Sequence, residues 1–339
     1  LHFKLALAAV ERDMLRRALV RFVIELCQGA PSRHWPPHLN QFRAAYSSTF
    51  GFNPCLLVVG FDLMELYPHI QHLHETAGTL QRNALHIAAT VGSEPAVEIL
   101  MDPESQPPIS TLVNARSGLG YTPLMSACSL GHVGVVQRLL CYPSIDPHAV
   151  NIDQETALHL ACRRGHFAIV QALMNHSSYP PLDVTKADRR GRTPLHRASQ
   201  GHLDIVQLLL GHTREAPLNL NRLKDRDGKT LLHYAADYNG DRSDIVQALL
   251  NYPSQPPLDV NARDDEGYKA LHLAAQRRNM EIVKELVGRG ATLDRRERYG
   301  KARSMLEPEG EWQWSHHIYD IESFLLSLPD LGLQGYSLV

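Results

Sequence analysis

Histidine is the residue type that offers this sequence the most chemistry, with 19 copies among 339 residues. An imidazole can carry a proton near neutral pH or bind a metal ion, so histidine clusters are where a catalytic or metal site would first be sought. Eight of them, however, recur at two fixed positions of a repeating pattern. Such regularity is typical of a structural role, and we expect no catalysis from them. They are His86, His159, His196, His233 and His272 at one position, and His132, His166 and His202 at the other.

The densest remaining group is His69, His72 and His74, with Glu75 beside them. Only His69 and His72 share one face of a helix. A metal site needs three or four convergent ligands that are oriented by a second shell of hydrogen bonds. We therefore expect a solvated helix or loop here, and the sequence predicts neither a metal site nor a cofactor.

The five cysteines are scattered and form no Cys-x-x-Cys pair, which argues against a disulfide framework or a zinc site. This usage favours a reducing, intracellular compartment, and we expect the cytoplasm, with the nucleus or an organelle interior as alternatives. Cys128 and Cys162 occupy one repeat position where alanine is otherwise usual, so we expect small core residues there, with a reactive thiol as the alternative. The remaining three are Cys27, Cys55 and Cys141.

Motifs and charge exclude several other classes of function. The sequence lacks G-x-x-x-x-G-K-[ST], G-x-S-x-G and H-E-x-x-H, so we predict that the protein is not an enzyme. The formal net charge of −2 provides no general attraction to nucleic acid or to an acidic membrane. No stretch approaches the roughly 20 apolar residues of a membrane span.

The elements that carry the regular histidines are units of 34 to 39 residues that recur six times. Each has a Leu-His or Leu-Met anchor, a pair of small residues, and then an apolar block such as Ile205-Val206-x-x-Leu209-Leu210. The block places four apolar side chains on one helical face, which predicts a pair of helices that must stack on its neighbours. The anchors end at His86, Met125, His159, His196, His233 and His272.

The fourth unit shows why each part is needed. Gly191 supplies a turn residue that tolerates positive φ. Thr193 can cap the first helix, and Pro194 suits its first turn. Glycine at the end of that helix can take the left-handed cap conformation, and we expect this of Gly131, Gly165 and Gly201.

These anchors and blocks strongly resemble the ankyrin repeat family over residues 77–294. The resemblance implies an all-α ankyrin-repeat solenoid with projecting hairpin fingers, inner helices along a groove and outer helices at the back. It also implies that the anchor histidines bond one repeat to the next. The sequence departs from the pattern at Gln81 and Gln154, which replace the turn glycine. The fourth repeat is one residue shorter between its helices, the fifth is two longer, and proline-rich loops follow most outer helices.

The two ends of the chain are outside the repeats. Residues 1–76 read as a helical N-terminal extension or cap, although a separate partner-binding or assembly element is the alternative. Residues 295–339 read as a degenerate seventh repeat that forms a modified C-terminal cap.

Family resemblance also implies where a partner would bind, at the finger tips and the exposed ends of the inner helices. Basic residues there predict one patch across the third to fifth repeats that takes an acidic, partly extended segment of another protein, with a solvated charged surface as the alternative. Arginine and tyrosine are also frequent at binding hot spots. The predicted partner-binding residues are Tyr121, Arg163, Arg164, Arg189, Arg190, Arg192, Arg226, Lys229, Tyr238 and Tyr268.

Two kinds of protein interaction fit these observations. We expect a scaffold or adaptor that binds its partner reversibly through the groove and the finger tips. The alternative is a constitutive structural subunit of a large assembly, in which the end segments and proline-rich loops would be buried against neighbours. Salt-sensitive, dissociable binding favours the first, and co-purification in fixed stoichiometry favours the second. We do not expect nucleic-acid binding, because no aromatic platform accompanies the arginines.

Overall fold

The computed structural model of the chain describes residues 82–101, 112–177, 181–212, 217–237 and 242–292. Contacts divide the chain into two compact units, Leu1–Leu182 and Asp183–Val339. We call them the N-terminal unit and the C-terminal unit. In both, the described residues form pairs of short helices, an inner helix followed by an outer one.

The N-terminal unit contains three helix pairs in its described part. They are α1 (Ala84–Val91) with α2 (Glu94–Leu100), α3 (Pro123–Leu130) with α4 (Val133–Leu140), and α5 (Ala157–Arg164) with α6 (Phe167–Asn175). Inner helix packs on inner helix, α1 on α3 and α3 on α5, and the outer helices α2, α4 and α6 do the same. Stacking of this kind buries faces that one pair alone would leave in water.

The C-terminal unit repeats this arrangement. Its pairs are α7 (Pro194–Ala198) with α8 (Leu203–His212), α9 (Leu231–Ala236) with α10 (Ser243–Asn251), and α11 (Ala270–Gln276) with α12 (Met280–Gly288). Single antiparallel bridges, Lys224 with Thr230 and Arg263 with Lys269, close the base of two hairpin turns. A short 3-10 helix, Leu220–Arg222, precedes the first of these turns. The all-α architecture of repeated helix pairs is therefore confirmed.

The inner helices begin where the sequence predicts. Thr193 caps α7 through its hydroxyl, which accepts a hydrogen bond from the His196 amide at 3.4 Å. Pro194 is the first residue of that helix. Thr122 and Thr156 cap α3 and α5 in the same way. A capping side chain of this kind satisfies one of the amides that an isolated helix end leaves unpaired.

The ends of the inner helices confirm two predicted glycine caps and correct a third. Gly131 and Gly165 end α3 and α5 in the left-handed conformation, with φ of 85° and 74°. Gly201 does not: α7 ends at Ala198, Ser199 is its cap in the right-handed conformation, and Gly201 has φ of 148°. The fourth repeat is one residue shorter between its helices, and α7 has five helical residues where α5 has eight, followed by a connection of four residues, 199–202, instead of two.

The apolar blocks bury the face that their spacing predicts. All four positions are buried in α4, α6 and α8, as in the run Ile205, Val206, Leu209 and Leu210. The last position is only half-buried in α10 and α12, as is Met101, which directly follows α2. Together with the small residues of the inner helices, these side chains make up most of the core in each unit.

Several predictions lie outside the described residues. These are the helical extension over 1–76, the histidine group at His69–His74, the capping segment over 295–339, and Tyr238. The proline-rich segment over 105–108 also lies outside, whereas the one over 252–257 is described and follows α10 as an irregular loop without regular secondary structure.

Candidate functional site

The turns between repeats, which we call fingers, are held by one side chain at their first position. Asp188 accepts hydrogen bonds from the Arg190 and Arg192 amides at 2.8 and 2.9 Å. Asp225 accepts from the Asp227 and Lys229 amides at 3.0 and 2.8 Å in the next finger. An aspartate or asparagine that binds its own backbone in this way defines the turn locally.

Asn151 has the same role in the third repeat, where its side-chain oxygen accepts from the Asp153 and Glu155 amides at 2.9 Å each. The finger residue that needs positive φ is glycine in the neighbouring repeats but Gln154 here, with φ of 61°. Gln154 therefore adopts the conformation of the glycine it replaces, at some cost in backbone strain.

Neighbouring fingers are bonded to each other through their backbones. In the C-terminal unit the Arg226 amide donates to the Arg190 carbonyl at 2.8 Å, and the Asp265 amide donates to the Asp227 carbonyl at 2.9 Å. In the N-terminal unit the Ile152 amide donates to the Leu119 carbonyl at 3.2 Å. The two residues at each tip are thus held in a defined position relative to the next tip.

Behind the fourth finger lies a buried ionic cluster. The Asp188 carboxylate is only 1% exposed, and it accepts hydrogen bonds from the guanidinium groups of Arg192 at 3.0 Å and Arg197 at 3.1 Å. Burial alone would raise the pKa of Asp188, but the hydrogen bonds and charge of Arg192 outweigh it, so the pKa lies below its usual value. Asp188 is therefore an anion that organises the finger.

A concave pocket of about 140 Å³ lies between the fourth and fifth fingers and the ends of their inner helices. Its floor includes Tyr234, whose hydroxyl donates to Asp225 at 2.7 Å. Burial and this hydrogen bond raise the pKa of Tyr234, so it remains a neutral donor. Charged groups of both signs surround the pocket. Its lining residues are Arg190, Arg192, Gln200, Asp225, Asp227, Lys229, His233, Tyr234 and Asp237.

Comparison with protein families identifies this architecture. The profile for ankyrin repeats in three copies matches residues 60–151, 143–222 and 215–297, which together span well over half of the chain. The chain belongs to the ankyrin repeat family. A comparison with curated proteins found no significant match. Ankyrin repeats are generally protein–protein interaction modules and are typically not enzymes.

Some of the predicted partner-binding residues are exposed, whereas others already form ion pairs within the protein. Arg164, Arg189, Arg190 and Arg226 are exposed, and no carboxylate in the described residues pairs with them. Arg163 instead pairs with Glu155 at 3.2 Å, and both it and Arg192 are only partly exposed. The ankyrin fold thus divides the basic residues into structural and available ones.

The other predicted residues are placed as follows. Lys229 and Tyr121 are half-buried, and Tyr268 is exposed beside His272, with ring centroids 6.2 Å apart. Arg163, Arg164 and Tyr121 belong to the N-terminal unit and the rest to the C-terminal unit. The single basic patch across these repeats remains a prediction.

The structure adds residues that sequence reasoning missed. Leu119 and Ile152 are adjacent finger tips of the N-terminal unit and are 43% and 52% exposed. Arg197, which lies on the inner helix α7, holds the Asp188 carboxylate and is almost fully buried. The position just after the turn asparagine was a usable signal for Ile152, but the finger of Leu119 begins with Ser117, and nothing in the sequence marked Arg197 as buried.

The anchor histidines have the structural role that the resemblance implies. The Nε2 atom of His86 lies 2.8 Å from the Tyr121 carbonyl of the next repeat, and that of His233 lies 2.9 Å from the Tyr268 carbonyl. Burial lowers the pKa of His86 and of His196 to about 4, and it also lowers that of His233. His86 and His233 are therefore neutral bridges between repeats at physiological pH, whereas the Nε2 atom of His196 is buried without a hydrogen-bond partner among the described residues.

A second histidine position links repeats within the N-terminal unit. The Nε2 atom of His132 lies 3.0 Å from the Thr90 carbonyl at the end of α1, and its ring occupies the space beside Gly92. Cys128 and Cys162 are fully buried, and burial raises the pKa of both thiols, which supports their interpretation as small core residues.

In the part of the chain that the structure describes, no three histidine, cysteine, aspartate or glutamate side chains are grouped to hold a metal ion. Among the helices of those same residues, none combines the length and hydropathy that crossing a bilayer requires.

Proposed function

We propose that this ankyrin repeat protein is a scaffold or adaptor that binds a partner protein through its finger tips and the groove beside them. In this proposal an acidic segment of the partner lies over the fourth and fifth fingers. The observation that carries it is the exposure of Arg189, Arg190 and Arg226, three guanidinium groups that have no ion-pair partner among the described residues.

The chemistry of these side chains suits an acidic peptide. A guanidinium presents a planar fork of donors that matches a carboxylate, and arginine is enriched among the residues that dominate binding energy. Because the finger turns are bonded to Asp188 and Asp225, little backbone order has to be gained on binding. The pocket lined by Arg190, Lys229 and Tyr234 would receive a side chain of the same segment.

The charge that is available for binding is smaller than the count of arginines suggests. Arg192 and Arg197 already share the Asp188 carboxylate, and Arg163 is held by Glu155. We therefore assign the main role to Arg189, Arg190 and Arg226, with Lys229 and Tyr268 as secondary contacts. Arg164 and Tyr121 belong to the N-terminal unit, where they remain predicted partner-binding residues.

The test uses a fluorescently labelled peptide with a run of glutamates, measured by anisotropy against the purified chain. The variant Arg189→Glu/Arg190→Glu should weaken binding by about tenfold or more, because two attractive contacts become repulsive. Binding by the native chain should also weaken as salt is raised, since the contacts are exposed.

A matched control makes the same change in charge elsewhere in the C-terminal unit. Lys284 lies on the outer helix α12 and Arg289 directly follows it, and both are exposed. Lys284→Glu/Arg289→Glu should leave peptide affinity within about twofold of the native value, because surface charges at a distance act weakly in salt. Equal losses of affinity in the two variants would show that net charge alone causes the effect. Unchanged affinity in the finger variant, Arg189→Glu/Arg190→Glu, would overturn the proposal.

The natural partner can be sought with the same pair of variants. Affinity purification from native extract, followed by mass spectrometry, should recover proteins that bind the native chain and the control variant but not the finger variant. A partner that remains in fixed stoichiometry through high-salt washes would instead support a constitutive structural subunit.

A further inference from the structure

The finger tips of the C-terminal unit carry a graded charge. The fourth tip has two positive residues, the fifth has one of each sign, and the sixth has two negative residues. All of them are exposed. We call this set the tip row. It consists of Arg189, Arg190, Arg226, Asp227, Asp265 and Glu266.

The order of the tip row is set by contacts between the fingers. The backbone hydrogen bonds from Arg226 to Arg190 and from Asp265 to Asp227 join the fourth tip to the fifth and the fifth to the sixth. The spacing leaves no room for a side chain at the turn glycine. A Cβ atom on Gly191 would lie 2.9 Å from the Arg226 backbone nitrogen, and one on Gly228 would lie 2.9 Å from that of Asp265. The three tips therefore form one continuous, ordered edge.

The groups beside the tips do not remove this gradient. Asp188 is neutralised by Arg192 and Arg197, and it is buried. The Lys269 ammonium is turned away to the Thr292 carbonyl, at 3.0 Å. Arg263 precedes the sixth finger, where its guanidinium donates to the Gly267 carbonyl at 3.4 Å, so it reduces the negative charge of that finger but does not reverse it.

We propose that the tip row selects a partner segment with two blocks of charge, acidic where it meets the fourth finger and basic where it meets the sixth. The two blocks determine the direction in which the segment lies along the edge. This inference rests on the proposed function and adds the basic block, which the predicted arginine patch alone does not require. Complementary charge of this kind contributes to specificity and register more than to raw affinity.

A second copy of the chain would also match the gradient, because two tip rows placed antiparallel pair positive with negative. The tips alone provide little surface, however, and a stable interface between proteins buries roughly 1,200–2,000 Å². Exposed ion pairs add little to that. A flexible partner segment can enter the pocket between the fourth and fifth fingers as well, so we assign the row to a partner segment.

The experiment compares three labelled peptides of equal length with the full chain. One carries a run of glutamates, a Gly-Ser spacer and a run of lysines. The second replaces the lysines by serines, and the third has the composition of the first with the charges alternating. The two-block peptide should bind about tenfold more tightly than the alternating one, and more tightly than the peptide with glutamates alone.

Two tip variants separate this inference from the proposed function. Asp265→Lys/Glu266→Lys should lower affinity for the two-block peptide by about tenfold without weakening the glutamate-only peptide. Arg189→Glu/Arg190→Glu should weaken both. Combining the four changes reverses the charge gradient. Affinity for the two-block peptide should then recover, because the peptide can bind in the opposite direction. All changes are at exposed positions, and circular dichroism would check that the fold is kept.

The outcomes are distinct. If the Asp265→Lys/Glu266→Lys variant binds the two-block peptide as well as the native chain does, the basic block has no partner and the inference fails, while the proposed function stands. If Arg189→Glu/Arg190→Glu does not weaken binding of either peptide, both the inference and the proposed function fail. A concentration-dependent dimer in sedimentation, abolished by either double variant, would overturn the inference by giving the tip row to a second copy.

Discussion

The fingers of the two units share a backbone but differ in the side chains at their tips. In the N-terminal unit, Leu119 and Ile152 place exposed apolar side chains on adjacent tips, with Asp153 beside Ile152, whereas the C-terminal unit has the charged tip row from Arg189 to Glu266. In both units a backbone hydrogen bond joins one tip to the next. The repeat therefore determines where a tip lies, and only the local sequence determines what it can bind.

The same contrast occurs at the base of the fingers. In the N-terminal unit, neutral Asn151 holds the turn and donates to Glu155 at 3.1 Å. In the C-terminal unit the equivalent residue, Asp188, is a buried anion between two guanidinium groups. A neutral asparagine and an ionised aspartate hold the same turn. Replacing each of them by alanine should therefore change the stability of the protein by different amounts.

The largest effect should therefore follow from Asp188→Ala. This change removes the carboxylate that Arg192 and Arg197 share, and breaking a buried ion pair by removing one partner costs about 3–5 kcal/mol. Asn151→Ala removes a neutral side chain and one hydrogen bond to the Glu155 carboxylate, which keeps Arg163 as its partner, so it should cost less, about 2–3 kcal/mol. Urea unfolding monitored by circular dichroism would give both free energies. Equal losses in the free energy of unfolding would show that the neutral and the ionised turn residue contribute equally.

The anchor histidines should make the two units alike in their response to acid. Acidification should destabilise both units, because each contains a buried histidine with a lowered pKa. His86 and His196 have a pKa of about 4 in the folded chain, against roughly 6.5 when unfolded. The unfolded state therefore binds protons first, and stability falls as the pH drops from about 6.5 to about 4. Each histidine contributes a loss on the order of 3 kcal/mol.

Unfolding in urea at a series of pH values would measure this loss. His86→Gln should flatten the pH profile, and the control His212→Gln, at an exposed position, should leave it unchanged. A free energy of unfolding that stays constant between pH 6.5 and 4 would contradict the structural role of the buried anchors.

Glycine substitutions test whether the finger backbone is as rigid as the bonded tips imply. Gly191 and Gly267 have similar φ, 79° and 84°, but only Gly191 is in close contact, with the Arg226 backbone. Gly267→Ala should cost about 1 kcal/mol from strain alone, and Gly191→Ala at least about 2 kcal/mol. Gly120 meets Ile152 in the N-terminal unit and should behave like Gly191. Thermal unfolding would rank the three, and equal costs would argue against tight packing of the fingers.

The smallest expected effect is a gain in the N-terminal unit from Asn83→Thr. His86 Nδ1 faces the Asn83 side-chain oxygen at 2.6 Å while Nε2 faces a carbonyl, and a neutral imidazole has only one proton for the two acceptors. A threonine hydroxyl can donate to Nδ1, as Thr230 can to His233.

We expect a gain of about 0.5–1 kcal/mol in the free energy of unfolding from Asn83→Thr. The reciprocal change Thr230→Asn should cost a similar amount in the C-terminal unit. A loss of stability in Asn83→Thr would show that Asn83 is already satisfied.

Much of the fold could be predicted because its signals are local. Thr193, Pro194 and the spacing from Ile205 to Leu210 determine the start of one helix and the buried face of the next. The early end of α7 was not predicted, because the number of residues between the starts of two helices does not determine how many of them are helical. Where the helix ends depends on how α7 and α8 pack.

The candidate site was predictable only as a set of residue types. Arg189, Arg190 and Arg192 form one basic run in the sequence, and all three were expected to bind a partner. The fold turns Arg192 inward to the Asp188 carboxylate and leaves Arg189 and Arg190 exposed. Nothing in the run itself distinguishes them, since the distinction arises from the turn geometry and from Arg197 on the following helix.

The sequence by itself determined the repeats, the helix pairs, the turn residues and the charge of each tip, because all of these depend on side chains a few residues apart. Only the tertiary structure decided which charges are used for folding and which tips become neighbours. Arg226 meets Arg190 across a whole repeat, through a backbone hydrogen bond that no local pattern encodes. The tip row exists because stacked helices bring those distant turns into contact.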